Sequence, residues 1–380
     1  MLMVPLLDQG GLERICAMTA KLLTPHCHLT LVVFSTKGMI YDVDGVDMID
    51  LNLGSVPGKV GKAVNLCKRI RAIKKIKRER NIEITYSFGP TANLANVFTR
   101  VKDKIWVGIR GYGALQDKNS MKRLCRRADR VICCSKVMAD DVKTQFGAKD
   151  VVCVYNPCDV ESIRRLAKEP LPADSQKFFD EGAPVVAAMG REHDVKGFWH
   201  LLKAFALAKK KIPALKLMIV GEGTFAEYRK LAEDLQVEQD VWFTGVQKNP
   251  FAYLKQASLF VMTSVSEGFP NSLIEAMAVG IPAMSVNCKT GPAEIFLDDY
   301  RKGGDGHTVI EGEYGVLLPV ICPEKNLDAS VMEIEEEIMA EQMVKVLTEP
   351  EKLAERKAAS LKRAEDFSVQ TYTDSLLRMI

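Results

Sequence analysis

The chain has 380 residues, 47% of them apolar and 27% charged, which excludes a disordered or low-complexity protein and suffices for two cores of roughly 150 to 200 residues each. No apolar run approaches the roughly 18 residues of a membrane span, so a soluble chain is expected. The formal net charge is only +3, yet residues 1–160 carry 26 Lys and Arg against 15 Asp and Glu while the remainder carries 26 against 34, so the first half suits an anionic neighbour.

The opening "MLMVPLLD" lacks a basic region and a long apolar stretch, and reads as a short first buried strand rather than a signal peptide. Further strands are expected near "LTLVVF", "VDMIDL", "EITYSF", "IWVGI", "RVICC" and "VVCVY", with helices near 11–23, 59–80, 91–100, 119–128 and 136–146. The ten cysteines lie mostly in apolar stretches, such as Cys133 and Cys134, and form no C-x-x-C pair, which points to a reduced, cytosolic chain. Asp42-Val43-Asp44 mimics a metal-binding acid pair but reads as an acidic turn, and His26-x-His28 has no third ligand nearby, so no metal is expected.

The segment 59–80 places Val60, Val64, Cys67, Ile70, Ile73 and Ile76 at helical spacing among lysines and arginines, a basic amphipathic helix. It reads as a sheet-covering helix or, with "KRLCRR" at 122–127, as contact with an anionic membrane surface. Nucleic acid is not expected, because no aromatic residues interleave the cations.

After "NPCDVESIRRLAKEPLPADSQKFFDEGAP", whose prolines and missing periodicity suggest a connection between domains, strands recur at "VVAAMG", "LKLMIVG", "VWFTG", "SLFVMTS", "IPAMSV" and "YGVLLP". Strands alternating with amphipathic helices make this an α/β chain of two doubly wound units. Ligands of such sheets bind beyond the strands' carboxyl ends, which draws attention to Gly190-Arg191, Gly221-Glu222-Gly223, Gly245-Val246 and 264–268.

In "SEGFPNSLIEAMAVGIP", Pro270 suits a helix start, Asn271 or Ser272 can cap it, and Gly280 ends it. Free N–H groups at that start, with Gly268 allowing close approach, would hold a diphosphate. The same residues also read as a capping box in which Glu275 serves Ser272. In "MGREHDVKGF", Arg191 and Lys196 could neutralise a diphosphate without a metal, or be solvated surface cations. Gly221-x-Gly223 followed by a helix matches a loose dinucleotide fingerprint, but the following strand ends in Gly245-Val246-Gln247, without the ribose-binding acid of an NAD site.

Order and spacing of "QGGLERI", "YNPCDVESI", "GREHDVKGF", "IVGEG", "VWFTGV", "SEGFPNSLIEAMAVGIP" and "GPAEI" resemble the family 4 glycosyltransferases, retaining enzymes of the GT-B fold with two facing Rossmann-like domains. The acids Glu267 and Glu275, eight apart, are similar to that family's paired glutamates. The resemblance implies an acceptor-binding domain over 1–160, a nucleotide-sugar domain over 183–365, and a last helix over 366–380 returning to the first domain. It also implies catalytic roles for Arg191 and Lys196 on the diphosphate and for Glu267 on the transferred sugar. Glu275 would hold the ribose, Gly245 and Val246 would border the base, and Gly190, Gly268, Phe269, Pro270, Asn271 and Ser272 would cradle phosphate and sugar. Gly10 and Gly11 would let the first loop approach the donor. Neither cofactor nor metal is implied, the nucleotide-sugar being a co-substrate.

"GPAEI" and the basic first half are similar to bacterial members that extend lipid-linked saccharides for capsule, lipopolysaccharide or other glycans, which implies a UDP-sugar donor, a lipid-linked acceptor and a peripheral place at the inner face of the plasma membrane. Alternatives are an epimerase of the same fold and an NAD-dependent oxidoreductase. The sequence departs from the family pattern where Arg110 or a neighbour stands at a position commonly histidine, and in a long connection over 298–314.

Overall fold

A computed structural model describes residues 1–179 and 182–380. It divides into two compact units, Met1–Pro157 with Val369–Ile380, and Cys158–Ser368.

The first unit is a parallel sheet of β1 (Leu2–Val4), β2 (Thr30–Val33), β3 (Asp47–Asp50), β4 (Ile84–Phe88), β5 (Lys104–Ile109), β6 (Arg130–Cys133) and β7 (Val151–Cys153). Their spatial order is β3-β2-β1-β4-β5-β6-β7, so the winding direction reverses between β1 and β4. All residues of β2 are buried, as a strand covered on both faces requires, and this is why such strands read as unbroken apolar runs. Helices Gly11–Leu23 and Val369–Leu377 bury Ile15, Ala20, Tyr372 and Leu376 on one face, while Ile73, Ala92 and Ala95 close the other.

The second unit contains β8 (Val185–Met189), β9 (Lys216–Val220), β10 (Val241–Gly245), β11 (Leu259–Met262), β12 (Ala283–Val286), β13 (Ile310–Glu311) and β14 (Val316–Leu318), ordered β10-β9-β8-β11-β12-β14-β13. Winding reverses between β8 and β11. The helix Phe198–Lys209 covers this sheet with fully buried Trp199, Leu202 and Phe205, each worth roughly 1.5–3 kcal/mol of apolar burial. The long connection over 298–314 contributes β13, antiparallel to β14, and a 3-10 turn at Tyr300–Gly303 whose last carbonyl accepts from Asn287 Nδ2 at 2.7 Å.

Two expectations change. The stretch read as a loose connection carries helices Val160–Leu166 and Ala173–Gln176, and from Cys158 on its described residues lie in the second unit, residues 180 and 181 falling outside those described. The basic helix, Lys59–Glu79, buries Asn65, Arg69, Ile73 and Lys77, whereas Val60 and Val64 are exposed. Polar partners cause this rotation. Arg69 donates to the Leu53 and Gly54 carbonyls, Asn65 donates to Gly54 O at 2.6 Å, and Lys77 pairs with Asp103 at 2.7 Å, both side chains fully buried. Burial holds the Lys77 ammonium down at about 8, against the pull of Asp103. No helix among the described residues is long and apolar enough to cross a membrane.

Candidate functional site

At the carboxyl ends of three adjacent strands of the second unit stand Gly190, Gly221 and Gly245. Gly190 N–H donates to Val220 O at 2.9 Å and Gly221 N–H to Gly245 O at 3.1 Å. A Cβ on Gly221 would fall 1.8 Å from Gly190 O, so only glycine lets these loops close. Val246, next in line, is exposed, and so is Arg191.

Between Arg191 and the helix Phe198–Lys209 the chain makes a 3-10 turn, Asp194–Lys196, which ends at Gly197 in the left-handed region with φ 60°. A Cβ there would meet Thr263 O at 2.3 Å. The turn is fixed from the end of β11, where Thr263 Oγ1 donates to Lys196 O at 2.8 Å and Val265 N–H to Val195 O at 2.9 Å. Lys196 Nζ thereby reaches Glu267 Oε1 at 2.7 Å, the two side chains only 21% and 15% exposed. Two residues 71 positions apart thus form one ion pair at the strand ends flanking the winding reversal. Thr290 Oγ1 donates to Glu267 O and holds the acid's backbone. Cys288 lies buried nearby, and burial, with the Glu267 charge second, pushes its thiol far up.

Gly268, Phe269 and Pro270 lead from Glu267 into the helix Asn271–Val279. The expected capping box is absent. The capping position is Pro270, with no side-chain cap, and this places Leu273 rather than Glu275 three residues on. Glu275 instead sits buried in the second turn, at 7% exposure. No side chain of the capping position accepts a hydrogen bond at this start, which carries the positive end of the helix dipole. Gly291, at φ 99°, packs against the same start, where a Cβ would lie 2.3 Å from Pro270 Cδ. That glycine and the two threonines are supporting residues that sequence reasoning missed; the only signal was the conspicuous "GPAEI".

The dinucleotide reading of Gly221-x-Gly223 meets a physical obstacle. The Glu192 carboxylate already occupies the start of helix Ala226–Asp234, accepting from Phe225 N–H at 2.8 Å, and its Cβ would be 2.3 Å from any Cβ on Gly223. A pyrophosphate there would face a resident negative charge. Asp42 pairs with Lys21 and accepts from Asp44 N–H at 2.8 Å, so the early acid pair is a turn. Another polar cluster, His200 with Glu333 and Glu336, was not foreseen. His200 Nδ1 is 2.8 Å from Glu336 Oε1 and Nε2 2.9 Å from Cys322 O, while Glu336 also closes the capping box of helix Ile334–Thr348.

In the first unit, Gly10 precedes the helix Gly11–Leu23, and no side chain caps its start. Gly10 N–H donates to Tyr41 Oη at 3.4 Å and its carbonyl accepts from the same hydroxyl at 3.0 Å. Arg110 follows β5 directly, donating to Tyr86 Oη at 2.5 Å and to Asn156 Oδ1 at 2.9 Å.

Comparison with known proteins adds sequence relatives to this geometry. Residues 9–162 match the family model described as Glycosyltransferase Family 4, and residues 172–313 that described as Glycosyl transferases group 1. An uncharacterized glycosyltransferase of Methanocaldococcus jannaschii is 33% identical over 221 residues, 57% of this chain and 54% of that protein, so the chain spans about half the length of this relative. The N-acetylgalactosamine-N,N'-diacetylbacillosaminyl-diphospho-undecaprenol 4-alpha-N-acetylgalactosaminyltransferase of Campylobacter jejuni is 27% identical over 311 residues, 77% of this chain and 82% of that protein. Among solved structures, Anabaena HepE in complex with UDP and glucose superposes with a TM-score of 0.73 at 17% identity, over 100% of this chain and 99% of that one, a likeness of fold.

Proposed function

Since the chain belongs to the family 4 glycosyltransferases, with the α/β architecture of the GT-B fold, we propose that it moves a hexose or N-acetylhexosamine from a UDP-sugar to a lipid-linked saccharide, with retention of configuration, in bacterial surface-glycan synthesis. The observation that carries this reading is the Lys196–Glu267 pair beside the uncapped helix start. An incoming diphosphate would compete for Lys196 and lie on the helix end, with Arg191 adding a second cation. Glu267, released from its lysine, would accept hydrogen bonds from the sugar. Glu275 would hold the ribose, Gly245 and Val246 would border the base, and the backbone of Gly268 to Asn271 would complete the cradle.

In the proposed step the acceptor hydroxyl attacks the anomeric carbon from the face that the diphosphate leaves. The new C–O bond forms as the bond to the β-phosphate oxygen breaks, and that oxygen takes the acceptor's proton. The protein's part is to stabilise the departing charge with Lys196, Arg191 and the helix end, and no metal is needed for it. The Campylobacter relative's named acceptor, a diphospho-undecaprenol saccharide, supports a lipid-linked substrate.

A peripheral place at the inner membrane face is supported by one side of the first unit. There the outward Lys59, Lys62, Lys68, Arg71 and Lys75, with exposed Val60 and Val64, share a helical layer with Lys122, Arg123, Arg126 and Arg127. Calorimetric titration with UDP, GDP, ADP and NAD in the presence of a chelator tests the donor reading. Binding of UDP alone is the expected result, and binding of NAD alone would overturn it.

A further inference from the structure

The amino-terminal unit has a cleft of about 490 Å³ at the carboxyl ends of β4 and β5, with Leu12, Gly89, Asn93, Gly108, Arg110 and Gly111 among its walls. Arg110 is the cation of that lining. Its guanidinium donates to Val154 O at 3.2 Å, Asn156 Oδ1 at 2.9 Å, Tyr86 Oη at 2.5 Å and Tyr372 Oη at 3.5 Å, and lies 5.5 Å from the centre of the Phe88 ring. Every one of these partners is neutral. Burial pushes the Tyr86 and Tyr372 phenols up, so neither supplies a phenolate. Among the described residues no carboxylate pairs with Arg110; Asp117, the acid of the lining, caps the helix Lys118–Arg127 by accepting from Ser120 N–H at 3.0 Å. Nε of Arg110 is buried and has no hydrogen-bond partner.

A guanidinium cannot shed its charge, and a half-buried charge without a counter-charge is unfavourable. Five polar and aromatic neighbours orient Arg110 but do not neutralise it. One further positive feature borders the same cleft. Helix Pro90–Val97 starts there without a side-chain cap or an acid in its first turn, Pro90 itself contributing to the wall.

We propose that this cleft binds a delocalised oxyanion, a phosphate or carboxylate group of the acceptor, with Arg110 as the residue that recognises its charge. Nη1 and Nη2 already donate to those four partners, so an anion entering the cleft would exchange with the longest of these bonds, that to Tyr372 at 3.5 Å, to reach the planar fork, and Gly111, where an added Cβ would meet nothing within 4 Å, leaves room beside it. Assigning the anion to the acceptor rests on the glycosyl-transfer reading; the existence of the anion site does not.

The test uses the full chain, with and without saturating UDP, and follows by ligand-observed NMR the binding of inorganic phosphate, methyl glucuronide and uncharged methyl glucoside. In the wild type at least one anion should bind roughly 10- to 150-fold more tightly than methyl glucoside in the presence of UDP, the range expected of hydrogen bonds to a charged group. Preference for phosphate points to a phospho-linked acceptor, preference for the glucuronide to an acidic sugar. Arg110→Gln should abolish the preference, and Arg110→Lys should keep part of it. Equal binding of all three probes by the wild type, or an undiminished preference in Arg110→Gln, would overturn the proposal. If Arg110→Gln does not fold, Arg110→Lys decides, an undiminished preference counting against the fork. UDP affinity measured on the same samples reports separately on the donor reading, so loss of one conclusion leaves the other standing.

Discussion

The Lys196–Glu267 pair makes opposite demands on its two members. At 2.7 Å, and with an effective dielectric of roughly 20, the gross attraction between unit charges is about 6 kcal/mol. Most of this is offset by the desolvation of both groups, so the net preference is far smaller. If a nucleoside diphosphate displaces the carboxylate from Lys196, Lys196→Ala removes a charge-assisted bond worth roughly 1.5–3 kcal/mol, and UDP affinity should fall about 10- to 150-fold. Glu267→Gln instead removes the competitor, and UDP should bind as well as or better than to the wild type, by up to about 1 kcal/mol. Transfer should suffer in both variants, Lys196→Ala losing roughly 100- to 1000-fold in rate, or about 2.7–4 kcal/mol. Calorimetry of the two variants and the double variant with UDP, with melting temperatures as a folding control, reads the pair directly. A merely structural ion pair would leave UDP affinity unchanged in all three while lowering stability in both single variants, and that outcome would refute the reasoning.

Gly291→Ala should destabilise by roughly 1–3 kcal/mol, measured by urea unfolding, and weaken UDP binding, because the new methyl meets Pro270 and shifts the helix start. Lys77→Met should cost about 3–5 kcal/mol by leaving Asp103 uncompensated, whereas Lys77→Met with Asp103→Leu should recover most of it; equal losses in both would show that the pair's charges do not matter. Titration with a thiol reagent at pH 8.5 should modify exposed Cys67 rapidly and spare Cys288, whose proton is held by burial and by the Glu267 charge. Fast reaction at Cys288, located by mass spectrometry, would contradict the closed packing around Glu267.

What the sequence reveals depends on how local the determinant is. Strands such as "TLVV" and "LFVM" are legible because burial on both faces of a parallel sheet leaves no polar alternation to confuse them. The two-residue β13 carries no such run and is visible only through its pairing with β14. The helix Lys59–Glu79 was legible as a helix but not in its orientation, since Asn65, Arg69 and Lys77 face inward for partners 11 to 26 positions away. At the site, Arg191, Lys196, Glu267 and Glu275 could be singled out by their places at strand ends and by family resemblance. Neither the pairing of Lys196 with Glu267 nor the Glu192 plug on the Gly221-Gly223 turn could be, because each joins loops that only the sheet order brings together. The capping box failed for a local reason, the extended backbone of Pro270 placing the helix boundary two residues before where a Ser272 cap would need it.

The helix Val369–Leu377 completes the first unit although the whole of the second unit is synthesised before it. Its Tyr372 hydrogen-bonds Thr19 at 2.7 Å across 353 positions, and Leu376 fills the core beside Leu23. During synthesis, then, the segment Cys158–Ser368 is contiguous and can condense as it emerges, while Met1–Pro157 keeps one face unsealed until Val369–Ile380 follows. The unit whose synthesis starts first is therefore the one whose segments are completed last. Premature termination anywhere in the last helix should release a chain with a finished second half and an aggregation-prone first half, rather than a half-active fragment.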